Sequence, residues 1–237
     1  MALDAGLMDR ARQTGEAVFR VYRWSRPSLS FGRNESVRGR FDPASLAAAD
    51  IGAVRRPTGG RVLMHDREVT YSVTAPARDD ERMSESYRQI NAILVAALAD
   101  LGVVVSAAPA GVPRRPGGAA CFAEPSAGEL TVNGRKLVGS AQLREHGALL
   151  QHGSILLADD QARIVELAVM PMVPALPAAT LREAIGREIA FPEVGDALRG
   201  ALNRLEGEAV SLDASEARVF AIPHMEKFSG AEWTWRR

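Results

Sequence analysis

The dipeptide Asn133-Gly134 constrains this chain more than any other feature. A two-residue type I′ turn needs positive φ at both central positions, and Asn-Gly tolerates that at least cost. Residues 129–132 and 136–143 are therefore predicted to form an antiparallel hairpin, with Lys136 just beyond the turn. Another apolar run, 148–157, reads as a strand carrying His152-Gly153-Ser154 in its middle. The clearest helix covers 84–101, where Tyr87, Ile90, Ile93, Leu94, Ala97, Leu98 and Leu101 fall at spacings of three and four and Gly102 marks the stop. That stripe calls for a sheet to pack on.

The rest of the chain fits the same plan. Residues 1–14 read as a helix with Leu3, Leu7, Met8 and Ala11 on one stripe, and 18–24 and 28–31 read as strands separated by Arg26-Pro27. Asp42-Pro43 opens a short helix as N-cap and first-turn proline. Residues 54–56, 61–64, 69–74 and 103–105 look extended, and 107–120, rich in alanine, proline and glycine, form a long loop ending at Cys121. The last third reads as helices, one of them opened by Asp213 with Glu216 at capping-box spacing. The expected class is α+β: a mixed β-sheet flanked by helices, in one domain over residues 1–237 with a helical C-terminal portion from about residue 160.

Composition excludes several functions. The chain has 237 residues, enough for a sizeable core, and 46% hydrophobic with 24% charged residues is not a disordered or fibrous composition. Twenty-nine basic residues balance 29 acidic ones, so no global basic field is available for nucleic acid or an anionic membrane. The longest apolar run, 92–99, is too short to span a bilayer, and the first residues show no basic region followed by an apolar one. The expected compartment is the cytoplasm. A single cysteine, Cys121, excludes an intrachain disulfide and a cysteine-built zinc site.

The candidate chemistry is concentrated in three segments. Arg55-Arg56-Pro57-Thr58-Gly59-Gly60-Arg61 places a glycine pair between two short strands, where the backbone can approach an anion or a carbonyl; a plain turn satisfies the same residues. It is neither a Walker phosphate loop nor a dinucleotide fingerprint. His65-Asp66 lacks a third ligand nearby, so no metal is expected. Cys121 is either a buried small hydrophobe or a reactive thiol. Lys136 and Lys227 are the only lysines among 29 basic residues, and an ammonium beside Cys121 would lower the thiol pKa by stabilising the thiolate. His152, in an apolar strand, is either a satisfied core histidine or a base, and His146 and His224 look like loop or surface residues.

Taken together, RRPTGGRVLMHDREVTYSV (55–73), CFAEPSAGELTVNGRKLVGSAQ (121–142) and LLQHGSILL (149–157) resemble, in order and spacing, the biotin/lipoate protein-ligase-like cofactor transferases. Within them they are most similar to the cysteine-dependent octanoyltransferases of lipoate biosynthesis, the LipM-like branch. The resemblance covers most of the chain and implies a biotin/lipoate protein ligase catalytic-domain fold with an acyl tunnel. Arg56, Gly59, Gly60, Arg61 and His65 would form one wall, and Ser140, Ala141, Gln142, His152 and Gly153 the other. Cys121 matches the acyl-thioester nucleophile and Lys136 the lysine that lowers its pKa.

The reaction so implied takes octanoate from the thioester of an acyl carrier protein to Cys121, and then to a lysine of a lipoyl domain or a glycine-cleavage H-type protein. It needs no cofactor. Three alternatives share parts of the signature: an ATP- and magnesium-dependent lipoate-protein ligase, an amidotransferase between lipoyl-type domains, and a non-catalytic acyl or carrier-domain binding protein. Two positions depart from the family pattern. Ala127-Gly128 stand where aromatic residues are common, which puts the pocket shape or carrier contact in question. Gly6 stands where an acidic residue is usual and should weaken the opening helix by about 1 kcal/mol relative to alanine.

Overall fold

The computed structural model describes residues 1–77, 82–109, 122 and 125–237. In chain order the elements are α1 (Ala2–Thr14), β1 (Val18–Tyr22), β2 (Ser28–Phe31), α2 (Pro43–Ala48), β3 (Gly52–Arg55), β4 (Leu63–His65), β5 (Glu68–Pro76), α3 (Met83–Asp100) and β6 (Ser106–Ala107). They continue with β7 (Leu130–Val132), β8 (Arg135–Glu145), β9 (Ala148–Leu156), α4 (Arg163–Glu166), α5 (Leu181–Ile185), α6 (Phe191–Glu206), α7 (Ala214–Ser229) and α8 (Ala231–Thr234).

The expected hairpin forms as the turn chemistry dictates: Asn133 has φ 50° and Gly134 φ 76°, and β7 pairs antiparallel with β8. His146 (φ 51°) and Gly147 (φ 75°) make a second turn of the same kind and fold β9 back along β8. These hairpins build one six-stranded sheet, β1-β5-β9-β8-β7-β6, in which every pairing is antiparallel. A smaller sheet, β3-β2-β4, pairs β2 with β3 in parallel and β2 with β4 antiparallel. The mixed character expected of the sheet is thus confined to the small one, where α2 supplies the crossover that parallel neighbours require.

Period-two alternation gives the large sheet two chemically different faces. Val69, Tyr71 and Val73 of β5 point into the main core with Ile90, Ile93, Leu94, Ala97 and Leu98 of α3 and Val194 and Leu198 of α6. Thr70, Ser72 and Thr74 point the other way, where α1 crosses and Met8 packs on Ala148 and Leu150. The small sheet has its own core of Leu29, Phe31, Phe41, Leu46, Ile51, Val62 and Met64, closed by Trp235. Asp42 caps α2 by accepting from Ser45 N–H at 2.8 Å, and Asp213 caps α7 by accepting from Ser215 and Glu216 N–H.

Two expectations are corrected. Residues 103–105 form no strand: after Gly102, Val103 turns into the core while Val104 is 87% exposed, and the strand that pairs with β7 is Ser106–Ala107. β-Branched propensity alone gave those valines no partner to pair with. Gly6 is not merely a weak helix residue. α7 lies so close on α1 that a Cβ there would run into the backbone carbonyl of Phe220. Propensity says that Gly6→Ala stabilises by about 1 kcal/mol. The packing instead predicts a loss of about 1 to 3 kcal/mol, because the helices must move apart; urea unfolding of the variant against the parent decides the sign.

Candidate active site

A narrow pocket of about 30 Å³ opens between the two sheets, lined by Met1, Tyr22 of β1, Ser30 of β2, Arg56, Leu63 and His65, Thr70 of β5, Gly139, Ser140 and Ala141 of β8, and His152, Gly153 and Ser154 of β9. Its position follows from the sheet faces just described, since His152, Ala141, Gly139, Ser154 and Thr70 share the side away from α3.

Arg56 organises one wall. Its guanidinium donates to the Ser30 carbonyl (2.8 Å), Ser30 Oγ (3.0 Å), the Gly59 carbonyl (3.2 Å) and the Arg61 carbonyl (2.6 Å). The glycine-pair loop is therefore wrapped around a buried cation and tied to β2. Gly60 adopts φ 98°, and a Cβ on Gly32 would collide with its carbonyl, so the loop and β2 touch backbone to backbone. Gly59 and Gly60 themselves are exposed, and with Arg61 they stand outside the residues that line the pocket.

Both pocket histidines are buried and engaged. His65 Nδ1 lies 2.6 Å from Glu68 Oε1, its Nε2 lies 2.7 Å from Ser30 Oγ, and Trp24 stacks on the ring at 4.2 Å. His152 Nε2 lies 2.6 Å from Thr58 Oγ1 in the glycine-pair loop, and its Nδ1 is 3.5 Å from Asp4 Oδ2, while Asp4 Oδ1 pairs with Arg20 at 2.6 Å. Burial pushes the His152 pKa below its ordinary value, against the opposing pull of Asp4.

Against Gly139, on the pocket side of β8, sits Lys136, 2% exposed. Its Nζ is 2.8 Å from Glu129 Oε2 and 4.7 Å from the centre of the Phe122 ring. Glu129 also accepts from Ser126 N–H (2.6 Å) and Ser140 N–H (3.4 Å), so one carboxylate joins the Phe122 segment, the ammonium and the pocket strand. A Cβ on Gly139 would sit 2.9 Å from Lys136 Cε and 3.0 Å from the Phe122 ring. Cys121 lies outside the described residues.

The structure thus brings Arg56, His65, Ser140, Ala141, His152 and Gly153 to one pocket, with Lys136 beside it against Gly139. Gln142 is one of the expected wall residues that it does not bring there. Two residues on from Ser140, its side chain faces α3 and donates to Ser86 Oγ at 3.1 Å, in a polar seam with Gln151 and Tyr71. Ala127 and Gly128 do not line the pocket either. Gly128 (φ 82°) docks on α3, where a Cβ would meet the Tyr87 ring at 3.0 Å and where its carbonyl accepts from Asn91. His224 is half-buried rather than free on the surface, 2.6 Å from Asp9 Oδ2. Among the described residues no group of three or more histidine, aspartate or glutamate side chains could hold a metal.

The profile of the lipoyl protein ligase A/B catalytic domain matches residues 1–203. The chain belongs to that family. Among its curated relatives, octanoyltransferase LipM of Symbiobacterium thermophilum is 39% identical over 87% of this chain and 81% of its own length. The LipM of Kyrpidia tusciae is 37% identical over all of this chain and 94% of its own. A solved bipartite lipoate protein ligase of Thermoplasma acidophilum, described with its E2 lipoyl domain, shares the fold at a TM-score of 0.76 and 21% identity, covering 99% of this chain and 89% of that one. As a LipM-type member of the lipoyl protein ligase A/B family, the chain carries the α+β fold expected of it, and no helix among its described residues is long and apolar enough to cross a membrane.

The sequence reading missed Asp4, Ser30, Thr58, Glu68 and Glu129. Each acts through a partner on another element or across a turn. The one local signal was Glu68, three residues after His65.

The His152 site makes a pH prediction. Its folded pKa lies below the unfolded value of about 6.5, so between the two the unfolded chain binds more protons and stability rises with pH. The stabilisation is complete above the unfolded value and is lost as the pH falls through the folded one. Urea midpoints taken down the acid side of pH 7 should fall more steeply for the parent than for His152→Gln.

Proposed function

We propose that this protein is an octanoyl-[acyl carrier protein]:protein N-octanoyltransferase that works through a thioester on Cys121. The observation that carries this reading is the setting of Lys136. Its ammonium is buried against the ring of Phe122, the residue peptide-bonded to Cys121, and its side chain lies against Gly139 on the pocket side of β8. An ammonium held there by Glu129 stabilises a thiolate, which is the nucleophilic form of cysteine.

In the first step the thiolate attacks the carbonyl of the carrier thioester. A C–S bond forms as another breaks, and the carrier leaves as a thiol, so the exchange is close to isoenergetic and requires neither ATP nor a metal. In the second step a lysine amine of the acceptor attacks the Cys121 thioester, giving an amide and returning the thiol. Arg56, His65, Ser140, Ala141, His152 and Gly153 hold the acyl chain, and Gly59, Gly60 and Arg61 form the rim of its entrance. An acyl carrier protein is the donor and a lipoyl domain the acceptor; the second assignment agrees with the E2 lipoyl domain named for the archaeal relative of the fold. We place the reaction in the cytoplasm, within a single catalytic domain.

The test is transfer from octanoyl-acyl carrier protein to a lipoyl domain without ATP. The parent should octanoylate the acceptor lysine, and Cys121→Ser should fall below detection because a neutral hydroxyl lacks the thiolate's nucleophilicity. Lys136→Arg should lose roughly 100-fold or more, since arginine keeps the charge but not the compact geometry or the titratable amine of lysine. Full activity of Cys121→Ser would end the covalent reading. Transfer that appears only with ATP and free octanoate would mark a ligase.

A further inference from the structure

The two pocket histidines differ in how they could move a proton. His152 points its Nε2 at Thr58, which is fully buried and does not line the pocket, and its own burial disfavours the imidazolium. His65 points its Nε2 at Ser30 Oγ, and Ser30 does line the pocket. On the far side of the ring, Glu68 Oε1 lies 2.6 Å from Nδ1. A carboxylate only accepts, so the Nδ1 proton is fixed and Nε2 is left as an acceptor for the Ser30 hydroxyl.

The surroundings reinforce this polarity. Arg56 donates to Ser30 Oγ at 3.0 Å, which draws electron density from the hydroxyl and makes its proton easier to pass on. Thr70 Oγ1 donates to Glu68 Oε1 at 2.5 Å and accepts from Trp24 Nε1 at 3.0 Å, so the carboxylate is held in place. Trp24 stacks on the imidazole at 4.2 Å and holds the plane of the ring. Glu68 Oε2 is buried with no hydrogen-bond partner among the described residues. Among the described residues the charged groups in contact with His65 are Glu68 and, through Ser30, Arg56. Asp66, next in the chain, is paired with Arg163 at 2.6 Å.

We propose that Glu68, His65 and Ser30 form a proton relay that deprotonates the acceptor amine in the second step. Ser30 is the catalytic contact, His65 is the base acting through it, and Glu68 is a positioning residue. This rests on the octanoyltransferase reading. The acceptor lysine enters as an ammonium and donates an N–H to Ser30 Oγ. Ser30 takes that proton and passes its own to His65 Nε2, leaving an imidazolium between Ser30 and Glu68. The freed lone pair forms the C–N bond to the thioester carbonyl. The tetrahedral adduct collapses with cleavage of C–S, and the departing Cys121 thiolate takes the second nitrogen proton. The imidazolium then loses its proton to solvent, so one proton is released per amide formed.

Intact-mass time courses on the full-length protein separate acylation of Cys121 by octanoyl-acyl carrier protein from transfer to a lipoyl domain. Ser30→Ala and His65→Gln should slow transfer by about 100-fold near pH 7, with acylation slowed far less. The deficit should shrink as the pH rises toward the ordinary lysine pKa of about 10.4, because the amine then arrives neutral. Glu68→Gln should give the same pH-dependent deficit in milder form. Hydroxylamine, already neutral at pH 7, needs no base, so it should cleave each variant's acyl-enzyme at the parental rate, and acylation of each variant by octanoyl-acyl carrier protein shows that it is folded. Equal slowing of both half-reactions, slow cleavage by hydroxylamine, or parental transfer by Ser30→Ala would overturn the relay. Failure of the parent itself to form an acyl-enzyme would overturn the octanoyltransferase reading and the relay with it, and that result is recognised without any variant.

Discussion

The pocket depends on one buried guanidinium. Arg56 is 4% exposed, and its donors go to backbone carbonyls at residues 30, 59 and 61 and to the Ser30 hydroxyl. A buried charge is tolerated only where its donors are satisfied, so the loop has to wrap around it. Two consequences follow. The glycine-pair loop is pinned to β2 without needing a regular element of its own, and Ser30 is turned toward His65. Removing Arg56 would loosen the wall and the histidine together.

The large sheet supplies the other wall by a simple division of faces. Alternation sends Val69, Tyr71 and Val73 into the core with α3 and α6, while Thr70 and His152 stay on the side of α1 and the pocket. One sheet thus provides stability on one face and chemistry on the other. Lys136 belongs to neither face in the ordinary sense. It emerges just past the Asn133-Gly134 turn and buries its ammonium against Glu129, which gives an otherwise costly charge a partner and an address.

What the sequence made legible was local. The Asn-Gly turn, the stripe along α3, the caps at Asp42 and Asp213 and the helical last third all depend on neighbours within a few residues, and all are in the structure. The placement of Arg56, His65, Ser140, Ala141, His152 and Gly153 at one pocket was anticipated through family resemblance, not periodicity. What stayed hidden was partnership across the fold. Asp4 reaches His152 and Glu35 reaches Val62 N–H only after the sheets assemble, and no spacing announces such pairs. Gln142 lies outside the pocket lining because its side chain is taken up by Ser86 of α3 and by Gln151, contacts that no local spacing announces. Gly6 shows the reverse error, where helix propensity was applied to a position whose neighbour is another helix.

The proposed acyl transfer runs through Cys121, the chain neighbour of Phe122, whose ring packs on the buried Lys136. The most direct measurement is the intact mass of the purified protein after incubation with octanoyl-acyl carrier protein in the absence of ATP, followed by hydroxylamine. The prediction is a single octanoyl adduct on Cys121 that hydroxylamine removes. No adduct, or one that resists hydroxylamine, would contradict the thioester and the roles assigned to Cys121 and Lys136.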